Sequence, residues 1–267
     1  MTIRFTLNGK IREEGSVAPT RTVLEYLRED VGLTGTKEGC AEGDCGACSV
    51  VLVRNRTDQR VAVNSCLLTV GQLDGAELVT VEGLSDRHGE LEAVQQAIVT
   101  EDGTQCGFCT PGFVVALHGL RHSGEEVTEE IIHDALAGNL CRCTGYRSIV
   151  DAARNACAEP VTEVTPTANA ATSAVHEIGD QKFLAPESLD ALIADRAAYP
   201  DAPLLAGGTD LGLSFSKGRE HPPVTIFTQH VAELRQIEDA PDALTIGAAA
   251  TYTEALPYIT EAYPSFA

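Results

Sequence analysis

Eight of the nine cysteines in this chain fall into two sets of four by spacing. Cys40, Cys45 and Cys48 stand as C-x4-C-x2-C within GCAEGDCGAC, and Cys66 follows after 17 intervening residues. This is the plant-type spacing for a [2Fe–2S] cluster. Gly39, Gly43 and Gly46 are threaded among these cysteines, as a loop that wraps a cluster requires. Glycine permits positive φ and close backbone approach, so N–H groups can point at the sulfurs and offset their negative charge. Zinc is a competing reading, although its knuckles use short C-x2-4-C pairs, often with histidine, and no histidine stands near this loop. Unligated core cysteines are a third.

The second set consists of Cys106 and Cys109 in QCGFCTPGF, and Cys141 and Cys143 in GNLCRCTGY. Residues two apart on a helix diverge by about 200°, so CRC reads as loop. Both pairs are expected to run directly into helices that begin at Thr110 and Thr144. The positive end of a helix and its unpaired N–H groups favour thiolates. Two such ends facing each other would form a four-thiolate site for a second [2Fe–2S] cluster. Zinc remains an alternative, and a lone C-x2-C is shared with redox dithiols. Cys157, the ninth cysteine, falls on an apolar position of the last of these helices and reads as core packing.

The elements that position these loops can be traced along the chain. TIRFTLNGKIREE alternates about Asn8-Gly9, the dipeptide of a type I′ hairpin. TRTVLEYLRED carries Val23, Leu24 and Leu27 at helical spacing before Gly32. ACSVVLVR, RVAVNS and ELVTVEG read as strands, so residues 1–82 form a small mixed sheet crossed by one helix. Over residues 83–157 the period changes to four short helices, a compact bundle. Thr110, with Pro111 behind it, and Thr128 and Thr144 are the expected N-caps of three of them. Residues 158–180 begin with AEPVTEVTPTANAATSA and read as a linker. Residues 181–267 alternate helix and strand and form a third, α/β unit.

Composition narrows the function. The chain has 267 residues, a net charge of −20 and 43% hydrophobic residues, enough for several buried cores. Its acidity opposes nucleic acid and anionic membrane surfaces. No run of 18 apolar residues is present and the N-terminus reads as a strand rather than a leader. The expected location is the cytoplasm, where thiols stay reduced and bind metal rather than form disulfides.

KEGCAEGDCGACSV, QCGFCTPGF and GNLCRCTGY together resemble the molybdenum hydroxylase family. With LLAGGTDL following in the same chain, the order is similar to the iron–sulfur/FAD subunits of bacterial xanthine dehydrogenases. The resemblance implies a β-grasp ferredoxin domain, a four-helix bundle domain and the start of a flavin domain of the vanillyl-alcohol-oxidase-like type. It implies two [2Fe–2S] clusters and FAD here, and molybdopterin on a large partner subunit. Electrons would pass from molybdenum through the bundle cluster and the ferredoxin cluster to FAD, then to NAD. Gln105 and Cys106 would lie nearest the pterin. Leu204, Leu205, Ala206, Gly207, Gly208, Thr209, Asp210 and Leu211 would cradle the FAD pyrophosphate, with backbone N–H groups at Gly207 and Gly208 and the Thr209 hydroxyl on phosphate oxygens. Such a Gly-Gly turn is by itself more often just a turn. The alternatives are a related aldehyde, CO or aromatic hydroxylase subunit, or a stand-alone ferredoxin-like carrier, which would need neither the bundle nor the flavin segment.

Nothing in the chain reads as a nucleophile–base pair. His118 and His122, four apart on a helix, read as a solvated flank. Glu125, Glu126, Glu129 and Glu130 read as a solvated face and a helix start.

The flavin segment is expected to be incomplete, because the family's second FAD-contacting stretch would follow YPSFA. Residues 204–211 can supply the pyrophosphate contacts only. A few N–H bonds contribute about 1 kcal/mol net each, whereas micromolar affinity needs about 8 kcal/mol. Flavin released on denaturing the purified chain should therefore fall well below one per chain. A near-stoichiometric yield would show that these 267 residues complete the pocket.

Overall fold

The computed structural model describes residues 2–54, 60–85, 89–158, 161, 174–218 and 220–266. The first unit holds β1 (Ile3–Leu7), β2 (Lys10–Glu14), α1 (Val23–Glu25), β3 (Ser49–Val53), β4 (Arg60–Asn64) and β5 (Glu77–Val79). Its sheet runs β2-β1-β5-β3-β4, with β1 and β5 parallel and the other pairs antiparallel. This is the β-grasp arrangement expected of residues 1–82. Asn8 and Gly9 take φ of 48° and 72°, as the type I′ turn demands. α1 passes directly into a π-helical turn, Tyr26–Val31, which ends at Gly32 with φ 79°. Val23 of α1 and Tyr26 and Leu27 of this turn pack onto Phe5, Val50 and Leu78 in the sheet.

The second unit is the expected bundle: α2 (Ala93–Thr100), α3 (Thr110–Arg121), α4 (Glu129–Leu136) and α5 (Arg147–Ala158). Its core includes Phe113, Val114, Leu117, Ile132, Leu136 and Ile149, with Cys157 packed against it. Two helix starts differ from expectation. The N-cap of α3 is Cys109, and the Thr110 hydroxyl instead pairs with Thr104 at 2.7 Å. α5 begins at Arg147 rather than Thr144, because Gly145 and Tyr146 both take positive φ and form a turn first. Thr128 caps α4 as expected, accepting from the Ile131 N–H.

The third unit has the sheet order β6-β7-β9-β8, built from β6 (Val175–Ile178), β7 (Gln181–Leu184), β8 (Leu204–Leu205) and β9 (Val224–Phe227). β7 and β8 both run parallel to β9. Val175–Ile178, inside the stretch read as linker, is thus a strand, paired with β7. Residues 159–160 and 162–173 of that stretch lie outside the described residues. Ile226 and Phe227 are buried in the interior strand β9. α6 (Leu189–Ala198) packs on this sheet and α7 (Leu211–Ser216) follows the Gly-Gly turn. The hairpin β10 (Ile237–Ala240) and β11 (Ala243–Ile246) stands apart from the sheet, and α8 (Tyr252–Ala262) leaves Tyr252 91% exposed. Among the described residues no helix is long and apolar enough to cross a membrane.

His118 and His122 correct the sequence reading. His118 is buried, its ring stacks on His122 at 4.1 Å, and Glu92 reaches its Nδ1 at 3.8 Å. The flank faces β4, since Gly119 packs on Ala62. The acidic start of α4 stays in solvent, with Glu129 bonded to Arg154 and 3.4 Å from His133. Burial, and then the neighbouring His118, lower the His122 pKa from 6.5 to about 4. Folded His122 therefore stays neutral down to about pH 4, whereas the unfolded chain takes up its proton near 6.5. Its contribution is complete above pH 6.5 and is lost as the pH falls from 6.5 toward 4. Allowing for its partial exposure, the loss is about 1–2 kcal/mol. Unfolding midpoints measured across this window should fall more steeply for the wild type than for His122→Gln, and parallel profiles would refute the assignment.

Candidate cluster and flavin sites

The loop between the π-helical turn and β3 carries Cys40, Cys45 and Cys48, and Cys66 follows β4. Cys40 and Cys45 are partly buried, and Cys48 and Cys66 fully so. The thiols interact as two pairs, Cys40 with Cys45 and Cys48 with Cys66. Backbone amides surround them: Cys40 N–H donates to Cys45 Sγ and Glu42 N–H to Cys40 Sγ, both at 3.4 Å. A Cβ at Gly39 would stand 2.7 Å from Cys45 Sγ, so only glycine lets the backbone come so near that sulfur.

The pairing splits the acidities. The Cys66 thiol, and then burial, set the Cys48 balance, and the donated hydrogen bonds lower Cys48 to about 7. Cys66 is raised as the donor partner, with burial adding to the effect. Burial opposes the Cys40 thiolate, but donors from Glu42, Cys45 and Asp44 outweigh it and lower its pKa. Burial raises Cys45.

The second set repeats the pattern. Cys106 pairs with Cys143 at the surface, and Cys109 with the buried Cys141 further in. The Phe108 N–H, followed by the Cys143 thiol, lowers Cys106, whereas its partner Cys143 is raised by the bond to Cys106. Burial pushes Cys109 up to about 12. Burial also opposes the Cys141 thiolate, but the Thr144 hydroxyl at 3.1 Å and its N–H at 3.5 Å bring it to about 7. Tyr146 accepts the Cys141 N–H at 2.8 Å and rests edge-on against Phe113. Only Cys109 stands directly at a helix start, because the 144–146 turn separates CRC from α5.

Each set thus offers two pairs of thiols. A two-iron cluster takes two ligands on each iron, and the donor set fits it. Among the described residues no group of three or more His, Cys, Asp or Glu side chains is placed to hold a single metal ion.

The two loops touch. Leu140 N–H donates to the Cys45 carbonyl at 3.0 Å, one residue before Cys141. Buried Asn139 donates to the Gly46 carbonyl at 3.0 Å, which also accepts from Ser49 N–H and Oγ. Gln105 is exposed beside Cys106, and Phe108 is 48% exposed, whereas Phe113 and Val114 belong to the bundle core.

On the opposite side the first loop meets the third unit. Leu213 of α7 packs on Cys48, Cys66 and Leu67. A Cβ at Gly212 would stand 2.5 Å from the Leu67 carbonyl oxygen. Gln72 donates to the Ala206 carbonyl at 3.3 Å. Within 204–211, Leu205 is buried and Leu211 packs beside Phe183, Phe215 and Phe227, so these two side chains serve the core. Gly207, Thr209 and Asp210 are exposed, Gly208 takes φ 84°, and the space beside Gly207 is open. An open backbone turn of this kind fits a phosphate group.

Comparison with known proteins agrees with this layout. Residues 5–71 match the 2Fe-2S iron-sulfur cluster binding domain and residues 80–154 the [2Fe-2S] binding domain. Residues 177–267 match the FAD binding domain in molybdopterin dehydrogenase. Quinoline 2-oxidoreductase from Pseudomonas putida 86 is 38% identical, with a TM-score of 0.52 over 59% of this chain and 93% of that one. The chain belongs to the molybdenum hydroxylase family. Another member, aldehyde oxidoreductase from Desulfovibrio gigas, is 37% identical with a TM-score of 0.54, over 59% of this chain and 17% of that one. Aldehyde oxidase 2 of Cavia porcellus is 36% identical over 94% of this chain and 23% of its own length. Xanthine dehydrogenase of Oryza sativa subsp. japonica is 32% identical over 85% and 22%. The chain thus spans less than a quarter of the length of these two curated relatives, and corresponds to the iron–sulfur and FAD-binding part of the molybdenum hydroxylases.

Sequence reasoning missed Asn139, Tyr146 and Gly112 as supports of the site, although all three stand inside the quoted cysteine motifs. Gly112 is the sharpest case. Alanine is a better helix former than glycine by about 1 kcal/mol. A Cβ there, however, would press into the Gly46 carbonyl oxygen and stand 3.0 Å from Asn139 Nδ2. Overpacking against backbone costs about 1–3 kcal/mol and outweighs the propensity gain. Gly112→Ala should lower the denaturant midpoint, and an unchanged or raised midpoint would mean that the joint is loose.

Proposed function

We propose that this chain carries electrons within a molybdenum hydroxylase of the xanthine dehydrogenase type, from a molybdopterin site on a partner subunit to FAD and then NAD, in the cytoplasm. Cys40, Cys45, Cys48 and Cys66 would hold one [2Fe–2S] cluster, and Cys106, Cys109, Cys141 and Cys143 the other. The residues of 204–211 would hold the FAD pyrophosphate. When bound, the clusters supply one-electron exchange and the flavin joins it to a two-electron acceptor.

The observation that carries this reading is the contact order of the three segments. The Cys106–Cys143 pair is exposed beside Gln105, where a partner's cofactor has access. The Cys109–Cys141 pair lies inward, and Leu140 bonds to Cys45. Cys48 and Cys66 then face Leu213, just past the flavin turn. In each set the amides and hydroxyls around the sulfurs favour negative charge on them.

A second reading, an aldehyde hydroxylase, is supported by the aldehyde oxidase relatives. Co-purification with the molybdopterin chain and turnover of xanthine against aldehydes, with NAD as acceptor, separates the two. The cluster assignment is tested by iron and sulfide content and by EPR of the reduced chain. About four irons and two distinct signals are expected, since the two sets have different surroundings. Two irons per chain, or bound zinc, would refute it.

A further inference from the structure

Lys217 closes α7 and reaches back 177 residues to the first cysteine loop. Its Nζ donates to the Cys40 carbonyl at 2.9 Å and stands 3.2 Å from Glu42 Oε2. Glu42 in turn gives its N–H to Cys40 Sγ. Between them Ala41 takes φ 56°, a left-handed conformation that a non-glycine residue adopts only when its surroundings hold it there. One ammonium group of the flavin-binding domain thus grips the tripeptide that presents Cys40 and its amides. Gly212 and Leu213 of the same helix hold the Cys66–Leu67 side.

We propose that Lys217 is a positioning residue through which the flavin-binding domain sets the reduction potential of the ferredoxin-domain cluster. This rests on the cluster reading above. Reduction adds negative charge to the cluster, and a fixed cation a few ångströms from a ligand's carbonyl favours the reduced form. Glu42, beside the same cysteine, opposes it. The two charges act on one site with opposite sign, so removing either leaves the other uncompensated. An ordinary surface tether between domains predicts no such asymmetry, because loss of the ion pair from either end would loosen the domains in the same way.

The test is an EPR-monitored redox titration of the full cluster-bearing chain, with the ferredoxin-domain signal assigned by its loss in Cys40→Ala. In Lys217→Gln that signal should titrate at a more negative potential, and in Glu42→Gln at a more positive one. Lys217→Arg should stay near the wild type. The bundle signal, ligated elsewhere, should not move in any variant, and both shifts should shrink in high salt. If Lys217→Gln fails to retain the first cluster, the positive shift in Glu42→Gln and the unchanged potential in Lys217→Arg still decide the matter. Unmoved potentials, or shifts of the same sign in both variants, would overturn the inference while the cluster reading stands. A wild-type chain without two-iron signals would overturn both.

Discussion

The carbonyl of Gly46 is the point on which the arrangement of the two cysteine loops depends. It accepts from Ser49 of its own domain and from Asn139 of the bundle, and one residue earlier the Cys45 carbonyl accepts the Leu140 N–H. A buried carbonyl needs a partner, and leaving one unmet costs about 1–3 kcal/mol. Each loop therefore completes the other. The absence of side chains at Gly46 and Gly112 lets the two backbones come within hydrogen-bonding range, and φ of 65° at Gly46 turns the carbonyl toward its donors. Two cysteine sets that belong to separate domains are thereby fixed in register, with Cys45 and Cys141 separated by one peptide hydrogen bond and a single residue.

The ferredoxin domain is held from its other side by the third unit, where Lys217 bonds the Cys40 carbonyl of the same loop. His176, completely buried, stands 3.4 Å from Asp74, and Thr20 donates to Gln181 at 2.7 Å. Together with the Gln72–Ala206 bond and the packing of Gly71 on Phe183, these contacts join the ferredoxin domain to the sheet that carries the 204–211 turn. The ferredoxin domain is thus clamped between two neighbours. Electron transfer needs short, fixed separations and little reorganisation, and a loop braced on two sides supplies both. The outer thiol pair, Cys106 and Cys143, has no such cover and faces the solvent.

Much of the site was legible in the sequence because its signals are local. The C-x4-C-x2-C loop, the C-x2-C and C-x-C pairs, the Asn8-Gly9 turn and the helical period after residue 89 each show within a few residues. The misreadings also have physical causes. Thr110 and Thr144 carry good capping side chains, but the cluster-side turns claim both hydroxyls, so the helices start elsewhere. His118 and His122 share a helix face as the period says, yet only the position of β4 decides that this face is buried. The strand at 175–178 is short and lies beside a Thr- and Ala-rich stretch, and it becomes a strand by pairing with β7.

By itself the sequence determined the kind of chemistry this chain supports. Metal-ligating cysteines are set by the spacing a cluster imposes on a loop, and that spacing is written in consecutive residues. Only the tertiary structure decided how the three segments address one another. The Asn139–Gly46 bond spans 93 residues and the Lys217–Cys40 bond 177. A hydrogen bond between such distant residues leaves no periodic trace in the chain. It exists only because hydrophobic burial has first fixed the backbones on which donor and acceptor stand.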